Sequence, residues 1–448
     1  MLSADEYIQA VCGQIRWKKA RRLVAQEIKA HIEDQRDAYL AEGLSEGAAA
    51  RRAVESMGDP VAAGASLDRV HRPKPQYFMV ALTAALMVLG IAARYFGSYL
   101  IEAENMQPHL YLAGTAAACF VFLAAYFLDF SWLGKYSRQI FAAAAVISSG
   151  QCFLLSQSGS LWSGEFPLCL IYPLIFSLLL YSLREKGLAD ILLCEAGFFV
   201  LAAVFLPIWN RSFWNKSSAA FSLFFFASVS VLLLYFSVFR GWFGMSRMKG
   251  FFAVTLPVAA GAGSYLIYIL ADDYRTKRLL CMLGMEDDTM GFDFFTEMIK
   301  NTISNSAMLG TSSPIAAHYG SEDSALWRYD FILTALAHNC GLIFFIAAAA
   351  VFFVFTAAGL RSALKQKSIL GSLVSLSVML TLTMQTVIYF LCDLGIFFRQ
   401  TLSLPLISGG NSTLIIDAAL IGFMLSVFRT EEIYSDRKQS ISIMRGLR

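Results

Sequence analysis

The sequence predicts an all-α fold: a polytopic membrane protein of about ten transmembrane helices with a small N-terminal cytoplasmic helical domain. Of its 448 residues, 57% are hydrophobic and 15% are charged, whereas soluble domains carry about 25% charged residues. Apolar stretches of about 20 residues recur, long enough for helices that cross a hydrocarbon core of about 30 Å. By contrast, roughly the first 70 residues are polar, and the apolar residues among them have helical spacing.

The polar N-terminal region, residues 1–72, is predicted to form a cytoplasmic helical prefix domain. Ser3 and Glu6 have the spacing of a capping box, which predicts the start of a first helix. Apolar residues within 17–42 recur on one helical face, and Gly43 ends that second helix.

Two shorter helices are expected in the rest of this domain. Ser45 is predicted to cap the first of them, and a Gly-Asp-Pro break at 58–60 precedes the second, which ends near His71. The segments "MGDP" and "RVHRPKP" resemble the prefix domain that precedes various bacterial membrane proteins. That resemblance implies a regulatory or docking module without chemistry of its own.

Ten apolar stretches are predicted to be transmembrane helices within a membrane domain at 75–430. A long loop at 272–329 separates the seventh span from the eighth, and residues 431–448 form a tail. The predicted spans are about 77–96, 108–128, 139–155, 167–183, 188–209, 218–239, 250–271, 330–357, 369–391 and 412–428.

The distribution of Lys and Arg between the short loops predicts the orientation. An excess of these residues marks the cytoplasmic side, so both termini are predicted inside and the loop at 272–329 outside. The loops then predicted inside contain Lys135, Arg138, Arg184, Lys186, Arg240, Arg247, Lys249, Arg361, Lys365 and Lys367. The short loops predicted outside contain only Arg211, Lys216 and Arg399.

Motifs and charge exclude several classes of function. The sequence has no Walker loop, dinucleotide fingerprint or zinc motif, so we expect no nucleotide cofactor and no metal held by protein ligands. A net charge of +3 without a concentrated basic region argues against nucleic-acid binding. A reaction at the outer face would need an already activated substrate, and lipid-linked substrates are the most accessible of these.

The beginning of the long outer loop carries a cluster of cations beside an aromatic ring: Tyr274, Arg275, Lys277 and Arg278. Arg presents a planar fork that matches phosphate oxygens, so the cluster is a candidate site for a lipid phosphate or diphosphate. Alternatively, these long side chains only fix the depth of the helix at the membrane surface. The sequence leaves both interpretations open.

Asp330 stands at the start of the eighth predicted span. It is a candidate N-cap for the following helix. It is also a candidate general base, because a helix N-terminus favours the ionised carboxylate that can accept a proton from a sugar hydroxyl.

Five polar residues inside or next to predicted spans are unusual, since polar groups at that depth normally face a bundle interior or a wet cavity. The five are Arg94, Glu195, His338, Asn339 and Asp417. Glu195, His338, Asn339 and Asp417 favour a second hypothesis, a lipid or solute transporter, although they form no visible relay along one helix. Arg94 is instead a candidate for the phosphate site or for a pair with Glu102 or Glu104.

The last span is preceded by an irregular segment. Pro405 and the pair Gly409 and Gly410 predict a closely approachable backbone just before a helix N-terminus, which is suited to binding an anion or substrate. The alternative is a simple re-entrant turn, which is tolerated where it is buried in protein or wet.

Three segments resemble motifs of the SEDS family (shape, elongation, division and sporulation; FtsW/RodA/SpoVE type). "DYRTKRLLCMLGMEDDTMGFDF" is similar to the family's stretch after the seventh span. "RYDFILTALAHNCGLI" is similar to the segment with the family's essential aspartate, which falls on Asp330. "LPLISGGNSTLIIDAALIGFML" is similar to the motif before the last span, with Ser408, Gly409, Gly410 and Ser412 matching.

The resemblance implies a peptidoglycan glycosyltransferase of the bacterial cytoplasmic membrane. Its substrate would be lipid II, its general base Asp330, and its partners membrane lipids and a class B penicillin-binding protein. The cation cluster, Arg328 and the matching residues before the last span would bind substrate, with a divalent cation (Mg or Mn) as a conceivable helper. The rival hypotheses are a non-catalytic binder of lipid-linked precursors that acts as a scaffold, and the transporter.

The chain departs from the family motifs at several positions. Arg328 and Tyr329 replace a His-Thr pair, and His338 and Asn339 replace a Glu pair. No Tyr follows Ser408, and the region expected to contain Q-P-D-x-G reads "LPIWNRSFWNKSS".

Overall fold

The computed structural model describes residues 2–100, 108–158, 165–184, 187–203, 213–282, 285–286, 291, 294–310, 312, 331–396, 403–407 and 410–430. Within these ranges the chain forms eighteen α-helices and no strand. The predicted all-α fold is therefore confirmed.

The chain divides into two compact units. One runs from Met1 to Pro75 and includes the chain from Phe428 onward, and the other is Gln76–Val427. The first four helices belong to the N-terminal unit: α1 (Ala4–Gln14), α2 (Lys18–Ala41), α3 (Glu46–Ser56) and α4 (Pro60–His71).

Local signals in the N-terminal unit act as helix boundaries. The Ser3 hydroxyl accepts from the backbone N–H of Glu6, and the Glu6 carboxylate accepts from the backbone N–H of Ser3, which completes a capping box. Asp59 caps α4 through two backbone N–H groups. Ser45 is at the N-cap of α3, but its side chain makes no capping hydrogen bond.

The core of this unit consists of apolar residues from α1, α2 and α3. They include Tyr7, Val11, Val24 and Ala53, all fully buried. The Tyr7 hydroxyl donates to the backbone carbonyl of Met57 at 3.0 Å, so the one polar atom of this ring is satisfied.

The second unit contains the long apolar helices. Its helices are α5 (Tyr77–Leu100), α6 (Pro108–Phe127), α7 (Ser131–Lys135), α8 (Ser137–Ser158), α9 (Glu165–Ser182), α10 (Leu188–Ala202), α11 (Phe213–Phe239), α12 (Arg247–Leu270), α13 (Asp273–Met282), α14 (Phe294–Ser304), α15 (Ile332–Cys340), α16 (Leu342–Leu364), α17 (Ile369–Asp393) and α18 (Asn411–Thr430). Helix α18 ends just inside the N-terminal unit.

Six of the described helices are long and apolar enough to cross a membrane: α5, α11, α12, α16, α17 and α18. Shorter apolar helices occupy Leu112–Phe127 and Cys169–Ser182. Each of the ten predicted stretches coincides with one of the helices or, at 330–357, with two. The chain is a polytopic helical membrane protein.

The eighth stretch is not one helix. The sequence predicted a continuous span at 330–357, but α15 ends at Cys340 and α16 begins at Leu342. Gly341 separates them with φ 111° and ψ 153°, a backbone conformation that residues with a Cβ rarely adopt. The prediction of a single helix was wrong because an apolar run shows where a span lies and not whether its backbone is interrupted.

Helix α17 is central to the second unit. It packs against α9, α11 and α16, and most of its side chains are buried. Three of its hydroxyls bond to carbonyls of the same helix: Ser375 to Gly371, Ser377 to Val374 and Thr381 to Ser377. These bonds let hydroxyl groups be buried without partners from other helices.

Candidate functional site

The first turn of α15 is held in an apolar cluster. Phe331 and Ala335 are buried against Met298 and Ile299 of α14. Position 330 directly precedes this anchored phenylalanine. The N-cap of α15 is Phe331, with no side-chain capping bond, so the predicted cap position of Asp330 is one residue off. Asp330 itself lies outside the described residues, as does Arg328.

A second segment supports α15 at its other end, where the helix is interrupted. The N–H groups of Leu342 and Ile343 donate to the carbonyls of Ala307 and Met308 at 3.0 and 3.3 Å. Two N–H groups of the same segment donate to carbonyls of α15: Gly310 to Cys340 and Ser312 to His338, each at 3.1 Å. These bonds satisfy groups that the helix break would leave exposed, which is a requirement inside a membrane.

One face of α15 also meets the end of α17. The Thr334 hydroxyl donates to the backbone carbonyl of Asp393 at 3.4 Å, and Asp393 is fully buried. The sequence analysis missed Asp393, although a carboxylate at the end of an apolar span is the kind of signal that marks a site.

His338 and Asn339 lie at the other end of α15. His338 is buried. The Asn339 amide donates to the Ala335 carbonyl of its own helix at 2.9 Å. The Asn339 side chain is therefore bonded locally rather than to another helix.

The predicted cation cluster is on α13. The Arg275 guanidinium lies 3.7 Å from the centroid of the Tyr268 ring and 3.6 Å from an Asp272 carboxylate oxygen. Both Arg275 and Arg278 are close enough to Tyr265 to interact with its hydroxyl electrostatically. Lys277 and Tyr274 are exposed.

These contacts show that Arg275 packs against aromatic rings at the end of α12. That is how a side chain behaves at a membrane surface. Binding of phosphate by the exposed Lys277, with Arg275 and Arg278 behind it, stays a prediction.

A polar cluster surrounds the described part of the segment before α18. Arg94 of α5 donates to the Ile407 carbonyl at 3.4 Å. The Asp417 carboxylate of α18 accepts from the Leu406 backbone N–H and interacts with Arg94 electrostatically. All four residues are buried.

Gln385 of α17 completes this cluster. Its amide donates to the Ser403 carbonyl at 2.8 Å and lies 3.5 Å from an Asp417 carboxylate oxygen. The sequence analysis missed Gln385, although an amide within an apolar span is a recognisable signal.

Two members of the predicted substrate segment, Ser408 and Gly409, lie outside the described residues. Gly410 is half-buried, and its carbonyl accepts from the N–H of Leu414 at 3.1 Å. Ser412 is exposed. The described part of the segment thus leads directly into the first turn of α18.

Glu195 is half-buried on α10, which packs against α8, α9, α11 and α12. The structure brings Arg94 and Asp417 together with the segment before α18, but the contacts described do not connect Glu195 with them. Among the described residues, His, Cys, Asp and Glu form no group of three or more that could hold a metal ion.

The helices, the interrupted α15–α16 pair and the loop before α18 define a polytopic helical membrane protein with polar groups gathered at helix ends. The fold is similar to a solved structure described as "Structural coordination of polymerization and crosslinking by a peptidoglycan synthase complex". The match covers 81% of this chain and 99% of that chain, with a TM-score of 0.56 and 18% identity. A family model for the FtsW, RodA and SpoVE cell cycle proteins matches residues 186–433. The chain belongs to that family.

Curated relatives match over shorter lengths. A probable peptidoglycan glycosyltransferase FtsW of Geobacter metallireducens is 25% identical over 238 residues, which are 52% of this chain and 58% of the relative. One of Trichlorobacter lovleyi is 24% identical over 195 residues, 39% of this chain and 50% of the relative. The peptidoglycan glycosyltransferase MrdB of Escherichia coli K12 is 25% identical over 170 residues, 38% and 46% respectively. The chain thus spans about half the length of the curated relatives it matches.

Proposed function

We propose that the protein is a peptidoglycan glycosyltransferase that polymerises lipid II at the outer face of the bacterial cytoplasmic membrane. Both termini are cytoplasmic in this proposal, and residues 272–329 are outside. Membership of the family and the names of the curated relatives support this class of reaction.

The observation that carries the proposal is the anchoring of α15. Phe331 is buried against α14, Thr334 is bonded to the end of α17, and the helix break at Gly341 is bonded to residues 307–312. Contacts on three sides give the start of α15 a fixed position. A catalytic group needs such a rigid support to meet its substrate in a productive geometry.

In the proposed reaction, Asp330 acts as the general base. The 4-hydroxyl of the acceptor GlcNAc attacks the anomeric carbon of the donor MurNAc. The new C–O bond forms as the bond to the diphosphate breaks, and the hydroxyl proton passes to the Asp330 carboxylate. The undecaprenyl diphosphate leaves with the electron pair of the broken bond.

The charge that develops on the leaving diphosphate needs nearby cations. We assign this role to Lys277 and Arg278 of α13, with Arg275 and Tyr274 of the same helix, and also to Arg328. Ser408, Gly409 and Gly410 of the segment before α18, and Ser412 in the first turn of α18, would bind substrate.

A divalent cation, Mg or Mn, would neutralise part of the same charge. We propose that it would be held mainly by diphosphate oxygens of the substrate. Chelation should then slow the reaction, and added Mg or Mn should restore it.

We also propose a class B penicillin-binding protein as partner, whose transpeptidase would crosslink the new strand. The similarity in fold to a chain from a peptidoglycan synthase complex supports such an assembly. Residues 1–72 would regulate or dock this complex in the cytoplasm. Deleting them should change partner binding or localisation and leave the reaction intact, whereas loss of the folded membrane domain would make them structural.

The test supplies labelled lipid II to the purified protein, with and without its partner, and separates the glycan chains on a gel. Asp330→Ala should reduce polymer formation by about 100-fold or more, the usual contribution of a general base. The matched control is Asp273→Asn, which removes an acidic residue in the first turn of α13.

The outcomes separate the three hypotheses. Normal chain length and yield with Asp330→Ala would exclude the catalytic role. A scaffold would make no polymer under any condition but would still capture a precursor or partner. A transporter would respond to Glu195→Gln or Asp417→Asn and be nearly unaffected by Asp330→Ala.

A further inference from the structure

The segment just before α18 has an unusual backbone. Leu406 has φ 62°, and within the described part of the chain it is the non-glycine residue with a positive φ. A leucine in this conformation costs free energy and persists only where its surroundings impose it. The Ile407 N–H donates to the Leu404 carbonyl at 3.1 Å, which closes a tight turn.

Three helices hold this turn through backbone groups. Arg94 of α5 donates to the Ile407 carbonyl, Asp417 of α18 accepts from the Leu406 N–H, and Gln385 of α17 donates to the Ser403 carbonyl. Polar side chains therefore bond to three backbone groups of the turn: the Ser403 carbonyl, the Leu406 N–H and the Ile407 carbonyl.

The charges of Arg94 and Asp417 also depend on each other. Both side chains are buried, at 8% and 1% exposure, and a buried charge is tolerated only with compensation nearby. For Asp417, hydrogen bonds from the Leu406 N–H and the Gln385 amide give partial compensation, and Arg94 adds an electrostatic interaction. Because both side chains also bond to the turn, their burial and the position of the turn are coupled.

Close packing against α5 is a fourth constraint on the turn. A Cβ at Gly90 of α5 would overlap the Leu406 carbonyl oxygen. The turn is therefore packed directly on the backbone of α5, where no larger residue fits.

We propose that Arg94, Gln385 and Asp417 are positioning residues that hold residues 403–407 in this strained turn, which comes directly before the proposed substrate segment. The inference rests on the proposed function, in which 408–410 binds the lipid-linked substrate. In this inference Arg94 and Asp417 support the reaction indirectly, by holding the turn, and do not form a transport pathway.

The experiment combines hydrogen–deuterium exchange with polymerisation kinetics on the purified full-length protein. The main variant is Arg94→Met with Asp417→Leu, which removes both charges together and leaves none buried alone. Peptides that cover 403–407 should exchange about 10-fold faster, since the Leu406 N–H loses its acceptor. With lipid II, kcat should fall about 10-fold or more while KM stays within about 3-fold, as expected for a misplaced substrate-binding segment.

A steric variant tests the same claim without changing charge. Gly90→Ala should displace the turn and reproduce both effects, while Gly261→Ala, where a Cβ would meet nothing within 4 Å, should change neither. Arg94→Lys keeps a charge and a donor and should retain most of kcat. Ser377→Ala controls for the loss of a buried hydroxyl in α17, because Ser377 bonds only to its own helix.

Unchanged exchange at 403–407 in both the double variant and Gly90→Ala would overturn the inference, as would faster exchange with an unchanged kcat. If the wild-type protein makes no polymer with or without its partner, the proposed function fails. The exchange measurement then decides by itself whether the three residues hold the turn.

Discussion

Polar side chains have different structural roles in the two units of the molecule. In the N-terminal unit they mark helix boundaries, as Ser3 with Glu6 and Asp59 do. In the membrane unit, several buried hydroxyls bond to carbonyls of their own helix, as Ser375, Ser377 and Thr381 do, and one group of polar contacts between helices lies where the backbone is irregular. Arg94, Gln385 and Asp417 all contact the turn before α18.

The difference follows from the solvent around each unit. At a water-exposed helix end, an unbonded N–H can still find water, so a cap improves stability by a modest amount. Within a membrane, an unbonded backbone group costs several times more free energy. The backbone groups at a helix break must therefore bond to other parts of the protein. We therefore expect changes at irregular backbone in the membrane unit to have larger effects than changes at helix caps.

The largest effect on stability is expected at the helix break. Gly341→Ala would force a Cβ to within 2.6 Å of the Met308 carbonyl oxygen at φ 111°, and the strain should cost about 3 kcal/mol of unfolding free energy. Thermal unfolding of the purified protein measures it, with Gly261→Ala as control. If α15 and α16 were one continuous helix, Gly341→Ala would instead raise stability, because Ala favours a helix interior over Gly by about 1 kcal/mol.

A smaller effect is expected at the cap of α4. Asp59→Ala removes an acceptor for two backbone N–H groups and should cost about 1 kcal/mol. Ser45→Ala is the matched change at an N-cap whose side chain makes no hydrogen bond, and it should cost much less. Hydrogen exchange of α3 and α4 in the full-length protein measures both, and equal losses at the two caps would contradict the comparison.

The smallest effect concerns the capping box of α1. Hydrogen bonds from the Ser3 backbone and hydroxyl hold the pKa of Glu6 below its usual value of 4.5. A depressed pKa contributes stability that is present above pH 4.5 and is lost as the pH falls through the lower, folded-state pKa. An NMR titration of the Glu6 carboxyl should show its pKa rise in Ser3→Ala, and an identical pKa in both proteins would show that the box does not hold the carboxylate.

Much of the fold could be predicted from the sequence because hydropathy and helical spacing are local signals. The apolar stretches gave the positions of the membrane helices, and Ser3 with Glu6 gave the start of α1. The break at Gly341 escaped prediction because its cause is distant: residues 307–312 supply the bonds that complete it. An isolated glycine in an apolar run is too weak a signal to predict such a contact.

The candidate site shows the same limit. Arg94 and Asp417 were recognisable as polar residues in apolar surroundings, but their meeting at Leu406 depends on contacts more than 300 residues apart for Arg94 and Ile407. The contact of Gln385 with Ser403 could not be predicted, because nothing in the sequence shows that these two residues, 18 positions apart, meet. For Arg275 the sequence left phosphate binding and a role at the membrane surface both open, and its stacking on Tyr268 became visible only in the structure.

The central claim is that the carboxylate at position 330 works outside the cell on a lipid-linked sugar. The most direct measurement replaces it with cysteine and treats intact cells with a membrane-impermeant maleimide, with the labelled peptide identified by mass spectrometry. The account predicts labelling at position 330 before the cells are opened. Labelling only after permeabilisation would place the residue in the cytoplasm, where the proposed reaction has no substrate.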